Sequence, residues 1–565
     1  MLVVIAFKAV LMGVLMLYNT PIRTTWFSRF WQFISGNAIL RQFFSCSKGV
    51  SMKRRTFLKV SAMSTAAAAC GSYAANLAKN KRGRPNILLL FSDQHHAGVM
   101  GCAGHPFGKT PHLDRLASDG VLFSRAYCQD GICVPSRTSM FTGLYPRTTG
   151  VIYNSDAPPH PERLHPLHSL LRANGYLTGC FGKRHFPRGL NERDWDASCT
   201  TINPKLDPSD ENYRDWIKGR GQYDSHNRDF KESHEASLMA HISRTAAENR
   251  TTAYAADKSI DFLRKAKKED RPFFCWSSFI YPHQPYTPLE RWARLYDLDK
   301  IELPGNISEP VENLPQRMRE WRTRTKPPWN CGTAAKDHAI YRRYIAYYYA
   351  LVSEVDYHIG RVLSVLRDLG LVENTIVIYS SDHGDFVAGH GMVEKCAVGH
   401  NVYEDTLRVP LIFHWPSEFA RGRTYDGLAE LTDLYPTLLE LTGIDRPGGG
   451  YDLPGRSLTP VLTGGSIPRK PYVVSENWSQ VTVIGERYKL GKWITPPLKY
   501  AAWDWGRTHP GMLFDRKNDP LEVNNLINEP HTNDVSEELD RFLAEWEARI
   551  PDDGKKEVAA SFRKA

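Results

Sequence analysis

Cys133-Val134-Pro135-Ser136-Arg137 puts a thiol, a proline and a guanidinium within about one helical turn, and the run closes at Gly143. Proline is tolerated in the first turn of a helix and glycine ends one, so the spacing predicts a short helix with Cys133 at its N-terminus. Free backbone N–H groups and the helix dipole favour anions there. Arg137 adds a planar donor fork. The segment suits a nucleophile held against a negatively charged substrate. A buried cysteine before an ordinary capped helix is the plainer alternative.

Four more segments carry acids, imidazoles and amines in places where an apolar run or a turn signal breaks off. They are Ser92-Asp93-Gln94-His95, Phe181-Gly182-Lys183-Arg184-His185, Tyr281-Pro282-His283-Gln284-Pro285-Tyr286, and Ser381-Asp382-His383-Gly384-Asp385 with Lys395 beyond it. Each has a bland reading taken alone. Asp93 would cap a helix, Asp382-His383-Gly384 would be a turn, and the lysines would be solvated. His185 and His283 would be structural, and His95 and His96 loop or wall residues. His400 and Arg408 lie near motifs without a role of their own.

Taken together and in this order, with the first run extended through Thr142-Gly143-Leu144-Tyr145-Pro146-Arg147, the five segments resemble the active site of the type I, formylglycine-dependent sulfatases of the alkaline-phosphatase-like superfamily. Leu513-Phe514-Asp515 and Asp519-Pro520-Leu521-Glu522 extend the likeness over nearly the whole mature chain. The resemblance implies that a maturation enzyme oxidises Cys133 to formylglycine (3-oxoalanine). It also implies one divalent cation, ordinarily Ca2+, on Asp93, Gln94, Asp382, His383 and the modified Cys133. Many relatives have a second aspartate at the position of Gln94 and asparagine at that of His383. The amide removes one formal negative charge, and the imidazole leaves Mn2+ or Zn2+ open.

A sulfate ester carries charge on oxygens that must be neutralised while sulfur is attacked. In the implied chemistry one hydroxyl of the aldehyde hydrate attacks sulfur and the alcohol leaves. The second hydroxyl then loses its proton and the sulfate is expelled. Arg137 would stabilise the hydrate, Lys183 and Lys395 would hold sulfate oxygens, and His283 would protonate the leaving alcohol. His185 would serve the second hydroxyl.

These residues need a scaffold that gathers strand ends. Pro85 to Asp93 and Thr375 to Asp382 are apolar runs stopping at an acid, as buried parallel strands do. Phe273 to Phe279 and Val409 to Trp415 predict two more core strands. Helical spacing recurs near Leu113 to Gly120, Leu167 to Gly175 and Leu351 to Gly370. Alternation of this kind predicts an α/β sheet covered on both faces, with ligands beyond the strands' carboxyl ends. The resemblance makes it an alkaline-phosphatase-like large mixed sheet sandwiched by helices. Past the Gly/Pro-rich stretch from Arg446 to Gly455, short alternating runs predict strands at Tyr472 to Ser475, Val481 to Ile484 and Tyr488 to Trp493. A helix near Glu537 to Arg549 would complete a small antiparallel subdomain. The expected division is a catalytic domain over 85–445 and a C-terminal subdomain over 446–565. The segments Thr201 to His241 and Leu303 to Lys336 read as loops.

The formal charge of +10 invites a nucleic-acid reading, but its location removes it. Residues 1–84 hold 13 of the 72 Lys and Arg and no Asp or Glu, leaving 59 basic against 62 acidic residues in the remainder. Met52-Lys53-Arg54-Arg55-Thr56-Phe57-Leu58-Lys59 and the Ala-rich stretch behind it resemble a twin-arginine export signal, with a cleavage site near Ser72 to Ala75. The expected location is therefore periplasmic or secreted, and the export machinery is an expected partner. Residues 1–51 read as a mis-called extension, with an N-terminal anchor as the alternative. Cys70 makes a poor lipidation site. The ten cysteines form no disulfide framework of the small-scaffold kind.

The expected function is an exported sulfatase acting on a sulfated carbohydrate. The alternatives are a phosphonate or phosphate diester hydrolase of the same superfamily and a catalytically silent glycan-binding surface lipoprotein.

Overall fold

All eight residues of the strand Asn86–Asp93 are buried. In the computed structural model this strand lies at the middle of a large mixed sheet. The structure describes residues 83–190, 194–201, 211–395, 402–477, 480–493 and 511–554. The leader, with its export, anchor and lipidation readings, and His400 lie outside them. Among the described residues no helix is long and apolar enough to cross a membrane.

Among the described residues nine strands make the main sheet. In spatial order they are Arg423–Tyr425, Val121–Phe123, Leu411–His414, Thr375–Ser381, Asn86–Asp93, Phe273–Pro282, Leu177–Gly182, Ala197–Thr200 and Glu211–Asn212. The expected strand at 409–415 is split at Pro410, and Leu411–His414 runs antiparallel to both neighbours. The block from Thr375–Ser381 to Glu211–Asn212 is parallel throughout. Four adjacent parallel strands therefore finish side by side, and Asp382, Asp93, His283 and Lys183 stand at or just past their carboxyl ends. This is where an open α/β sheet places its ligands.

The helix Thr251–Glu269 packs against the sheet and against the 31-residue helix His338–Asp368. The long helix begins well before the predicted Leu351. Its first half buries Tyr341, Tyr344 and Tyr348, and the Asp337 side chain caps it by accepting from Ala339 N–H. Two helices, Tyr213–Gly219 and Tyr223–Glu235, also stand in the segment read as a loop.

The C-terminal part is a four-stranded antiparallel sheet of Tyr472–Glu476, Gln480–Gly485, Tyr488–Trp493 and Met512–Asp515, covered by the helix Asn533–Arg549. Leu539, Leu543 and Trp546 of that helix fill its core. Trp546 meets Tyr145 edge to face, 5.1 Å between ring centres, which ties this core to the segment just after the Cys133 helix. The seven described cysteines are free thiols.

Candidate active site

The predicted helix spans Cys133–Thr142, with Cys133 as its first residue and Gly143 ending it at φ 72°. A side chain at Gly143 would also press on Leu453 and Tyr435, so both conformation and space call for glycine there. The whole helix is buried. This burial explains its weak amphipathic pattern, since no face meets water.

Arg137 reaches from this helix under the strand ends. Its Nη2 donates to Asp93 Oδ2 at 2.7 Å and its Nε to Asp382 Oδ2 at 2.8 Å. Its Nη1 donates to the Lys183 carbonyl at 2.6 Å. The guanidinium lies against the rings of Phe91 and Trp276, 5.1 and 5.6 Å from their centres. Arg137 thus fixes the orientation of two buried carboxylates and leaves the other oxygen of each for a further partner. Asp93 Oδ1 lies 3.9 Å from Cys133 Sγ. Asp382 Oδ1 accepts from the backbone N–H groups of Gln94 and His383, both at 3.1 Å.

The His383 ring has one nitrogen on each side of its task. Nδ1 meets the Gly384 carbonyl at 2.9 Å and Nε2 lies 3.3 Å from Cys133 Sγ. Burial opposes charge on the ring, but Asp382 and Cys133 outweigh it and raise its pKa. A cation in the cage would take the Nε2 lone pair in place of that proton. Single ligand atoms from Asp93, Cys133, Asp382 and His383 all lie within 4.8 Å of one another, and all four residues are buried. Two carboxylates, an imidazole lone pair and a sulfur (an oxygen after oxidation) fit a divalent cation.

Lys183 follows Gly182, which has φ 109° and whose missing Cβ would sit 2.0 Å from the Ser278 carbonyl oxygen. Lys183 Nζ contacts Asp93 Oδ2 at 2.6 Å and Cys133 Sγ at 3.7 Å. Lys395 Nζ contacts Glu394 Oε1 at 2.9 Å, Gln94 Oε1 at 2.8 Å and His283 Nε2 at 3.2 Å. His283 Nδ1 meets the Gln284 carbonyl at 2.9 Å, and Nε2 lies 3.8 Å from Asp93 Oδ1. Cys133, Lys183, His185, His283 and Lys395 all line one cavity of about 960 Å³.

Burial alone would raise the Cys133 thiol, but Lys183, Lys395 and His383 outweigh it and hold the group well below its ordinary value. Burial also opposes the charge on Asp93, and Lys183, His283 and Arg137 overcome it, so its pKa is lowered. Burial pushes the His185 imidazole down, partly offset by its hydrogen bond to Cys133. Lys395 moves up because Cys133, Glu394 and Asp93 outweigh its own burial.

Every one of the expected site residues, Asp93, Gln94, Cys133, Arg137, Lys183, His185, His283, Asp382, His383 and Lys395, belongs to this one cluster. His95 and His96 turn away from it. His95 Nε2 meets the Val99 carbonyl at 3.0 Å and His96 Nε2 meets Asp405 at 3.1 Å. Arg408 pairs with Glu404 at 3.4 Å.

Three supporting groups carried no role in the sequence reading. Asp385 accepts from Gln94 Nε2 at 2.6 Å, Tyr286 Oη at 2.9 Å and Tyr344 Oη at 2.5 Å. Tyr348 Oη donates to the Gln94 carbonyl at 2.7 Å. Glu394 pairs with Lys395. Asp385 stood inside a quoted motif, and Tyr344 and Tyr348 share helical spacing with Tyr341, which is the signal that was available. Gln94 itself is held at φ 65°, a strained backbone for a non-glycine residue and a mark of a functional position.

A buried group of possible metal ligands at the carboxyl ends of a mixed sheet, with a helix N-terminus delivering a cysteine into it, suits metal-assisted attack on a charged ester. The sulfatase family matches over residues 85–444, and the C-terminal region of N-sulphoglucosamine sulphohydrolase over 389–549. YidJ, an uncharacterized sulfatase of Escherichia coli, is 28% identical over 488 residues, covering 83% of this chain and 88% of its own. An N-acetylglucosamine-6-O-sulfatase of Bacteroides thetaiotaomicron is 25% identical over 544 residues, covering 85% of this chain and 89% of its own. Among solved structures, a phosphonate monoester hydrolase of Agrobacterium radiobacter superposes with a TM-score of 0.67 at 22% identity, covering 82% of this chain and 96% of that one. That last likeness concerns the fold. The chain belongs to the sulfatase family, and it is a sulfuric ester hydrolase.

Proposed function

We propose that the protein is an exported sulfatase that desulfates a carbohydrate, with Cys133 matured to formylglycine and a divalent cation held by Asp93, Gln94, Asp382 and His383. The observation that carries this reading is the position of Cys133 Sγ. It lies 3.3 Å from an imidazole nitrogen, 3.9 Å from a carboxylate oxygen and 3.7 Å from an ammonium. The carbohydrate preference draws on the name of the N-acetylglucosamine-6-O-sulfatase relative. Export draws on the leader sequence.

The cation would neutralise sulfate oxygens and draw electrons from sulfur. The formylglycine hydrate would supply the attacking hydroxyl and a second hydroxyl for release of sulfate. The chain's own residues do the remaining work. Arg137 keeps the Asp93 and Asp382 carboxylates pointed into the cage. The Lys183 and Lys395 ammonium groups flank the position where sulfate oxygens must sit and offset their charge. His283 Nε2 faces the cavity beside Lys395 and delivers a proton to the departing alcohol oxygen. His185, kept largely neutral by burial, is suited to accept a proton beside residue 133.

A phosphonate or phosphate diester hydrolase is the second reading, favoured by the Asp93-Gln94 and Asp382-His383 pairs, which replace one formal negative charge of many sulfatases with an amide. Purified protein coexpressed with a formylglycine-generating enzyme decides between the two. A kcat/KM for a sulfated sugar or aryl sulfate exceeding that for a phosphate diester supports the sulfatase. A diester preferred by orders of magnitude overturns it.

A further inference from the structure

The catalytic cavity extends well beyond the cage. It reaches from Cys133 to Phe230 and shares Thr200, Thr201, Tyr213, His226 and Phe230 with an adjoining cavity of about 210 Å³. With about 960 Å³ of its own, it lies near the top of the range for small-ligand sites. Both cavities are bounded by the helix Tyr223–Glu235.

That helix is anchored through Asp229, which with Thr245 also lines the larger cavity. Asp229 is buried and accepts from Ser243 Oγ at 2.5 Å, from Thr245 Oγ1 at 2.7 Å, and from the backbone N–H groups of Arg244 and Thr245, both at 3.0 Å. Tyr223, His226, Asn227 and Phe230 line the smaller cavity. Their spacing of i, i+3, i+4 and i+7 makes them a single stripe on the helix. Phe230 is 50% exposed, and its one ring neighbour among the described residues is His234, a turn further along. The Asn227 amide has no hydrogen-bond partner among the described residues. An exposed large aromatic ring beside an uncommitted amide, on a rigidly anchored helix in the wall of a catalytic cavity, is a surface set for a ligand with both apolar faces and hydroxyls.

We infer that this stripe is a subsite for the sugar ring adjoining the sulfated one, with Phe230 packed on the C–H face of the pyranose and Asn227 and His226 bonded to its hydroxyls. The inference rests on the carbohydrate reading above and deepens it, because it makes the substrate an oligosaccharide chain. The occupant follows from continuity, since a chain with its sulfate at Cys133 must continue along the cavity walls.

The test uses purified, formylglycine-bearing protein, wild type and Phe230→Ala. Substrates are a sulfated monosaccharide, the same sugar extended by one and by three residues, and 4-nitrophenyl sulfate as a chain-free reference. The expected result is a fall of about five- to tenfold in the ratio of kcat/KM for the disaccharide over the monosaccharide, carried by KM. Phe230→Trp restores the ratio. An unchanged ratio in Phe230→Ala, or a loss of the same size on all four substrates, overturns the subsite and leaves the carbohydrate reading intact. Wild-type protein that hydrolyses 4-nitrophenyl sulfate but no sulfated saccharide of any length overturns both.

Discussion

The Asp385 carboxylate lies 2.6 Å from the Gln94 amide nitrogen, and this contact decides which end of the amide the site uses. Gln94, Tyr286, Tyr344 and the Val387 backbone all donate to Asp385, so it acts as an acceptor only. The Gln94 nitrogen must face it, and the amide oxygen is turned to Lys395 at 2.8 Å. A side chain one charge short of the common aspartate is thereby presented oxygen first.

Asp385→Asn should undo that choice, because an amide in its place can meet Gln94 with either end. We expect cation affinity to fall about 10- to 100-fold, the size usual for loss of a group that orients a ligand, with a parallel fall in kcat/KM. Titration calorimetry with Ca2+ and Mn2+ on chelator-treated protein reads the affinity apart from turnover. Undiminished affinity in a folded variant would show that Gln94 orients itself or lies outside the coordination sphere.

The expected site residues could be picked out because five motifs in order resemble one family's site, and a few of them also leave a local mark. Asp93 and Asp382 end uniform apolar runs, and Cys133 opens a helix closed by glycine. The supports were harder to see. The front half of His338–Asp368 reads Tyr-Arg-Arg-Tyr and lacks the Leu/Val period that betrays its back half, so the helix appeared to begin at Leu351. Its apolar face is made of tyrosines whose hydroxyls satisfy Asp385 and Gln94, and a polar handle on each ring hides the core role. The helix Tyr223–Glu235 escaped notice because most of it is polar and its buried anchors, Asp229 and Ser233, are not residues a hydrophobic pattern can register. The strand expected over 409–415 kept its place in the core, and its antiparallel direction, for which no expectation was set, leaves no trace in side-chain period.

Acid should weaken the fold through His358. Burial, joined by Arg361 and only partly countered by Glu354, lowers its pKa from 6.5 to about 4. Arg361 Nη1 donates to Nδ1 at 3.1 Å, which requires an unprotonated nitrogen. The unfolded chain binds the proton more tightly, so stability from this group is present above pH 6.5 and is lost as pH falls toward 4. The shift corresponds to roughly 3 kcal/mol. Urea unfolding at pH 7 and pH 4.5 should show His358→Gln losing less stability than wild type on acidification. Equal losses would mean that the ring protonates in the native state without cost.

Maturation predicts a mass. The tryptic peptide containing Cys133 should be lighter than its thiol form by about 18 Da in protein from the native host, the change expected when a thiol becomes the aldehyde whose hydrate is the nucleophile. Cys133→Ala should abolish turnover, and Cys133→Ser should leave at most a single burst. An unmodified thiol in native protein without turnover would favour the silent glycan-binding alternative.

His283 should matter in proportion to how badly the leaving group needs a proton. Its Nδ1 is committed to the Gln284 carbonyl at 2.9 Å, so Nε2 is the atom that faces the cavity. Lys395 Nζ lies 3.2 Å from Nε2 and Asp93 Oδ1 lies 3.8 Å from it. A sugar alcohol leaves poorly as an alkoxide and gains the full benefit of a positioned acid, about 10²- to 10⁴-fold. The 4-nitrophenolate ion leaves without help. His283→Gln should therefore lower kcat/KM on a sugar sulfate by at least about 10²-fold and on 4-nitrophenyl sulfate by less than about tenfold. Equal losses on both substrates would assign His283 to binding the sulfate, alongside Lys395, and would leave the leaving alcohol without an acid among the residues named here.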